Sequence, residues 1–131
     1  MIFVNLSVKD LDRSKKFFSE LGYSFKPQFS DENSACLVIS DTIYAMLLTE
    51  ESFAALTKKQ IADTSTHQET LIGLSADSRQ AVDELVDRAL AAGGTPAGET
   101  VDTETMYDRS FRDLDGHHWE ITWIDPAAAQ G

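Results

Sequence analysis

The stretch Asp115-Gly116-His117-His118-Trp119-Glu120-Ile121-Thr122-Trp123, near the C-terminus, decides the fold. Asp-Gly is a turn signal, and an alternating strand follows it. Side chains of a strand point to opposite faces in turn. Trp119, Ile121 and Trp123 therefore share an apolar face and pack as core, with His117 at its edge, in solvent or in a cap. His118, Glu120 and Thr122 share the other face. A strand that hides two indoles on one side and shows a carboxylate on the other walls a cavity.

The same punctuation recurs upstream. Asp41-Thr42 precedes the alternating stretch Ile43 to Leu48, as Asp115-Gly116 precedes the closing strand. Ile2 to Val8 alternates as a strand, and Asp10 caps a helix over Leu11 to Leu21 that Gly22 ends. Strands are expected at Ser24–Phe29, Ala35–Ile39 and Ile43–Leu48, then a short helix from about Glu51 to Gln60 and a polar connector. The order restarts with a strand over Glu69 to Ala76. Asp77 or Ser78 caps a second helix, whose Ala81, Val82, Leu85, Val86, Ala89 and Leu90 form one apolar stripe. Asp83-Glu84 and Asp87-Arg88 fall on its wet face, with Glu84 and Arg88 spaced for an ion pair. Strands at Thr95–Gly98, Met106–Arg112 and His117–Ile124 complete the half. A β-α-β-β-β order thus appears twice, as module one (1–50) and module two (69–126), with a linker at 51–68 and a frayed tail at 127–131.

Composition bounds the function. The chain has 131 residues, 42% of them hydrophobic, enough for the core of a single domain. Its net charge of -11 repels phosphate backbones and anionic membranes, so no nucleic-acid or membrane partner is expected. No apolar run approaches the roughly 20 residues that span a bilayer, and Met1-Ile2-Phe3-Val4-Asn5 opens in a strand pattern rather than a signal peptide. A cytoplasmic location follows. Cys36, the lone cysteine, lies in an apolar run and is expected to be a buried core thiol.

Three features together resemble the vicinal oxygen chelate superfamily, which includes glyoxalase I, extradiol dioxygenases, and fosfomycin and bleomycin resistance proteins. One is the opening Val4 to Ser14 followed by Phe17-Phe18 and Leu21-Gly22. Another is the repeated βαβββ order. The last is Asp113-Leu114-Asp115-Gly116-His117-His118-Trp119-Glu120, which looks like that family's closing strand. The resemblance implies an α+β fold in which paired βαβββ modules form a curved, cup-like mixed sheet with helices outside. It also implies a small-molecule ligand in the cup and a homodimer.

Metal-dependent relatives hold a divalent ion with one side chain from the first and last strand of each module. By that resemblance the equivalents are Phe3, Met46, Thr70 and Glu120. A phenyl, a thioether, a hydroxyl and one carboxylate do not hold Zn, Mn, Ni or Fe. No cofactor is therefore expected. A divalent metal would need Glu120 with His118 and, through a bulge near residues 68–70, His67 or Glu69. Phe3, Asn5, Tyr44, Met46, Leu48, Thr70, Ile72, His118 and Glu120 describe an apolar pocket with a few polar handles, the usual makeup of a small-molecule site. Alternation also groups Tyr107, Arg109 and Phe111. Arg109 either forms a surface ion pair with Asp108 or a neighbour, or holds a ligand anion with Tyr107 beside it.

Two functions fit. One is a metal-free protein that binds a small organic molecule. The other is a glyoxalase-like lyase or isomerase, dependent on a metal, with Glu120 as ligand or as the catalytic base. A metal-free enzyme using Glu120 as base is a variant of the second.

Overall fold

The computed structural model describes residues 1–129. The chain is α+β and divides into two compact units, Met1–Asp63 and the residues from Thr64 onward. Each contains one curved mixed sheet.

In the first unit, β1 (Ile2–Val8) runs parallel to β4 (Ile43–Thr49), and the sheet order is β1-β4-β3-β2, with β3 at Ser34–Val38 and β2 at Ser24–Phe25. The helix α1 (Leu11–Glu20) starts where expected: the Asp10 carboxylate accepts from the Arg13 N–H. Gly22 follows it with φ +101, a left-handed conformation suited to glycine. Both Phe17 and Phe18 of α1 are buried, and they join Leu6, Val8, Ala35, Leu37, Ala45 and Leu47 in the core. The expected strand Ser24–Phe29 stops at Phe25. Pro27 has no N–H for a ladder, and Pro27–Phe29 turns as a 3-10 helix instead. The helix α2 (Glu50–Thr57) is shorter than expected at its C-terminus, where Lys58 adopts φ +58 and ends it.

In the second unit the order is β5-β9-β8-β6, with β7 also on β8. The strands are β5 (Leu71–Ser75), β6 (Thr95–Pro96), β7 (Val101–Asp102), β8 (Met106–Arg112) and β9 (His118–Ile124). The expected single strand near Thr95 is two short ones that divide one edge of β8 between them. Ser110 Oγ fills the gap by accepting the Gly98 N–H at 2.8 Å. Ser78, rather than Asp77, caps α3 (Arg79–Ala91). Glu84 accepts from Gln80 at 3.0 Å in place of the expected bond to Arg88. The segment expected to fray contains a short helical turn, α4 (Pro126–Ala129); residues 130 and 131 lie outside the described residues.

The β8–β9 turn is built around one carboxylate. Asp113 is 7% exposed. Its Oδ1 accepts the N–H groups of Asp115 (2.9 Å) and His117 (3.0 Å), and its Oδ2 accepts the Trp119 indole N–H at 2.9 Å. Burial pushes its pKa up, opposed by the nearby His117 and by these hydrogen bonds, which favour the charged form. Gly116 turns the chain at φ +79, and a Cβ there would meet Thr64 Oγ1 at 2.5 Å. His117, expected in solvent or in a cap, is 3% exposed, because its Nδ1 lies 2.6 Å from Glu69 Oε1.

Removing that carboxylate should be expensive. Asp113→Ala leaves an indole and two backbone donors without acceptors and is expected to lose about 3 kcal/mol or more. Urea unfolding measures it; a loss below about 1 kcal/mol contradicts this role for the turn.

Candidate functional site

Register places the candidate side chains. In the antiparallel pair β8–β9, Asp108 faces Thr122, Ser110 faces Glu120 and Arg112 faces His118. In the parallel pair β5–β9, Gly73 lies beside Glu120 and Leu71 beside His118. All of these residues are therefore on one face of the second sheet. The alternate set, Tyr107, Arg109, Phe111, Trp119, Ile121 and Trp123, is on the other.

That second face belongs to α3. Arg109 Nη1 lies 2.8 Å from Asp83 Oδ1 and 3.0 Å from Asp87 Oδ1, and the Tyr107 hydroxyl donates to Asp83 at 2.7 Å. Arg109 thus pairs with the helix rather than with Asp108, and it reaches two carboxylates that stay largely exposed on the expected wet face. The hydrogen bond from Tyr107, then Arg109, holds Asp83 below the usual carboxylate range. Tyr107 and Arg109 are separated by the sheet from Glu120 and His118. Trp119 is core, whereas Trp123 is half-buried with the Arg79 guanidinium 5.1 Å from its ring centre.

The face opposite α3 is open. The position of a Cβ on Gly73 would meet nothing within 4 Å, and Leu71, Val101 and Ile124 on this face are 51%, 39% and 49% exposed. At its centre is a carboxyl pair. Asp108 is 5% exposed and accepts from the Thr122 hydroxyl at 2.6 Å. Glu120, half-buried, shares a hydrogen bond with Asp108, which requires a proton on one of the two groups. That bond, with burial and the Asp108 charge, pushes Glu120 up to about 7. His118 beside it is pushed down, first by burial and then by Arg112. Sequence patterning missed Asp108, whose importance comes from a diagonal contact across two strands rather than from any spacing along the chain.

The remaining predicted residues belong to the first unit or to the approach to β5. Phe3, Asn5, Tyr44 and Met46 share one face of the first sheet, through the pairs Phe3–Tyr44 and Asn5–Met46. The Phe3 and Tyr44 rings stack at 5.2 Å, Phe29 meets Phe3 edge-on, and Lys26 Nζ is 5.3 Å from the Phe29 and Tyr44 ring centres. Cys36 is fully buried on β3. Thr70 lies just before β5, which begins at Leu71 rather than Glu69. Glu69 is engaged with His117, and the His67 ring with the Thr66 hydroxyl at 2.8 Å. Among the described residues no three His, Cys, Asp or Glu side chains are grouped to hold a metal ion. The Phe3 phenyl and the Met46 thioether are not donors for a hard or borderline divalent ion.

Comparisons agree with this architecture. Residues 1–40 match the bleomycin resistance protein-like N-terminal family. No curated protein matches the sequence. Among solved structures, a hypothetical protein (SA1046) from S. aureus is similar at 25% identity, with 95% of this chain and 93% of that one covered and a TM-score of 0.81. A glyoxalase/bleomycin resistance protein/dioxygenase family enzyme from Burkholderia phytofirmans PsJN is 18% identical over 93% of this chain and 96% of its own, with a TM-score of 0.78. The fosfomycin resistance protein FosX from Mesorhizobium loti is 14% identical over 100% and 97%, with a TM-score of 0.70. No described helix is long and apolar enough to cross a membrane.

The raised Glu120 has a stability signature. Between about 4.5 and about 7 the folded chain keeps a proton that the unfolded chain has released, so this group's contribution falls as pH rises through that window. Glu120→Gln keeps a donor for Asp108 and removes the titration. Relative to wild type, the variant is expected to gain about 1 kcal/mol between pH 5 and pH 8, a value discounted for solvent screening. Urea unfolding at both pH values measures the difference; an unchanged gap contradicts the shared proton.

Proposed function

Starting from a chain with the vicinal oxygen chelate fold, we propose that it binds a small organic molecule on the open face of the second sheet, with the Asp108–Glu120 pair as the polar handle. One observation carries the proposal: Glu120, set against Asp108 and pushed up to about 7, stands beside open space over Gly73. A group with a perturbed pKa next to free volume, rimmed by exposed Leu71, Val101 and Ile124, has the makeup of a ligand site. The pair can donate or accept a hydrogen bond at neutral pH without gaining or losing full charge. Binding in this form needs no metal.

The same carboxyl supports a second function. A glutamate titrating near 7 is poised to move a proton in either direction, as an isomerase or lyase requires. In that case Glu120→Gln abolishes turnover while leaving binding in place, because the amide preserves shape and a donor.

Backbone amide shifts on adding a panel of small organic molecules test the binding proposal. Saturable shifts are expected in Leu71–Ser75, Asp108–Arg112 and His118–Thr122. Gly73→Val should weaken binding at least about tenfold by filling the space beside Glu120, with little loss of stability, since a Cβ there meets nothing within 4 Å and valine suits a strand. Saturable shifts confined to other segments, or Gly73→Val binding as wild type does, would overturn it.

A further inference from the structure

Residues 98–105 run along the edge of β8 that β9 leaves free, and every one of them is exposed. Their grip on the sheet is slight. Within them β7 offers two paired residues, Val101 opposite Asp108 and Asp102 opposite Tyr107. Before β7 the Gly98 N–H donates to Ser110 Oγ at 2.8 Å, and after it the Thr103 N–H donates to the Met106 carbonyl at 2.9 Å. A two-residue ladder at a sheet edge opens easily on its own.

Arg79, at the start of α3, fastens this segment from the other face of the sheet. Its Nη1 lies 2.5 Å from Asp102 Oδ1, and its Nη2 donates to the Thr103 carbonyl. Its guanidinium carbon is 5.3 Å from the Tyr107 ring centre and 5.1 Å from that of Trp123. One side chain thus joins the helix to β7, β8 and β9. The planar fork is what allows it: two N–H groups reach acceptors on successive residues while the rings hold the cation in place. The ion pair is solvent-exposed, with Arg79 at 39% and Asp102 at 63%, so salt screens it.

What the segment covers lies on the opposite face. Side chains of a strand alternate, so Asp102 meets Arg79 while Val101 stands on the open face, directly across from Asp108. Residues opposed in this way have Cβ atoms about 5 Å apart. Asp108 is only 5% exposed, although a Cβ on Gly73, two strands away on the same face, would meet nothing. Val101 closes Asp108 off on the edge side, as Thr122 does on the β9 side.

We infer that β7 is a strap, latched by Arg79, that holds Val101 over Asp108 and opens locally when the latch is released. Arg79 is a positioning residue: it lies across the sheet from the face whose margin it sets. With the strap closed, that face ends at Val101. With it open, the face extends over Asp108 to the bare edge of β8. Because salt weakens the ion pair, the strap responds to ionic conditions. This goes beyond the proposed binding function, and its test uses no ligand, so the two stand or fall separately.

Amide hydrogen exchange and carbodiimide labelling of carboxyl groups, on the full chain, test the strap. In Arg79→Gln the Gly98 and Thr103 amides should exchange about tenfold faster, and Asp108 labelling should rise at least about threefold. Asp102→Asn, which keeps the Thr103 contact, should show a smaller rise in both. The β8–β9 amides and the buried Asp113 carboxylate should behave as in wild type. About 1 M salt should move the wild type part of the way and leave Arg79→Gln unmoved. Unchanged exchange at Gly98 and Thr103 in both variants would overturn the latch. Faster exchange there with Asp108 labelled no more than in wild type would overturn the cover. Asp113 labelled along with Asp108 would mean that the whole unit opens, and would overturn a local strap.

Discussion

The buried carboxylate of Asp113 fixes the geometry on which the second unit depends. It gathers two backbone N–H groups of the turn and the indole N–H of Trp119, so the chain can reverse at Gly116 in only one register. A slip of one residue would exchange the two faces of β9, placing Trp119 outside and Glu120 under α3. Holding an ionisable group at 7% exposure is unfavourable, and the fixed donors offset that. The same turn ties down the approach to β5: the Thr64 hydroxyl donates to the Asp115 carbonyl at 2.5 Å, and Glu69 meets His117. Gly73 is thereby kept alongside Glu120.

With register fixed, the two faces of the sheet have separate roles. The α3 face is closed by large apolar side chains and by the Arg109–Asp83–Asp87–Tyr107 set, in which each charge has a partner. The opposite face has the Arg112 guanidinium, bonded to the Pro96 carbonyl at 3.5 Å, the Asp108 and Glu120 carboxyl groups, and exposed apolar side chains at its margin. Stability explains the first arrangement. It does not explain the second, because Asp108 raises the proton affinity of Glu120, which weakens the fold as pH rises. Such groups beside free volume are more readily understood as serving a ligand than as serving the fold.

Much of this was legible in the sequence. The alternation of β9 sorted Trp119 and Ile121 from Glu120 and His118, and the cap at Asp10 and the apolar stripe of α3 located both long helices. Local signals fail where tertiary contact decides. His117 lies next to a turn and reads as exposed, yet Glu69, 48 residues away, holds it in the interior. Arg109 and Tyr107 sit on a strand whose charges suggested a ligand, and only the packing of α3 shows which carboxylates they meet. Asp108 reads as an exposed strand residue; its burial and its contact with Glu120 exist only once β8 and β9 are paired.

The central claim is that Glu120, set against Asp108, holds its proton well above the ordinary glutamate range. A carbon-13 NMR titration of the Glu120 side-chain carboxyl measures this directly. The account predicts an apparent midpoint near about 7 that falls toward the ordinary glutamate range in Asp108→Asn. A midpoint near about 4.5 in the wild-type chain, unmoved by Asp108→Asn, would contradict it.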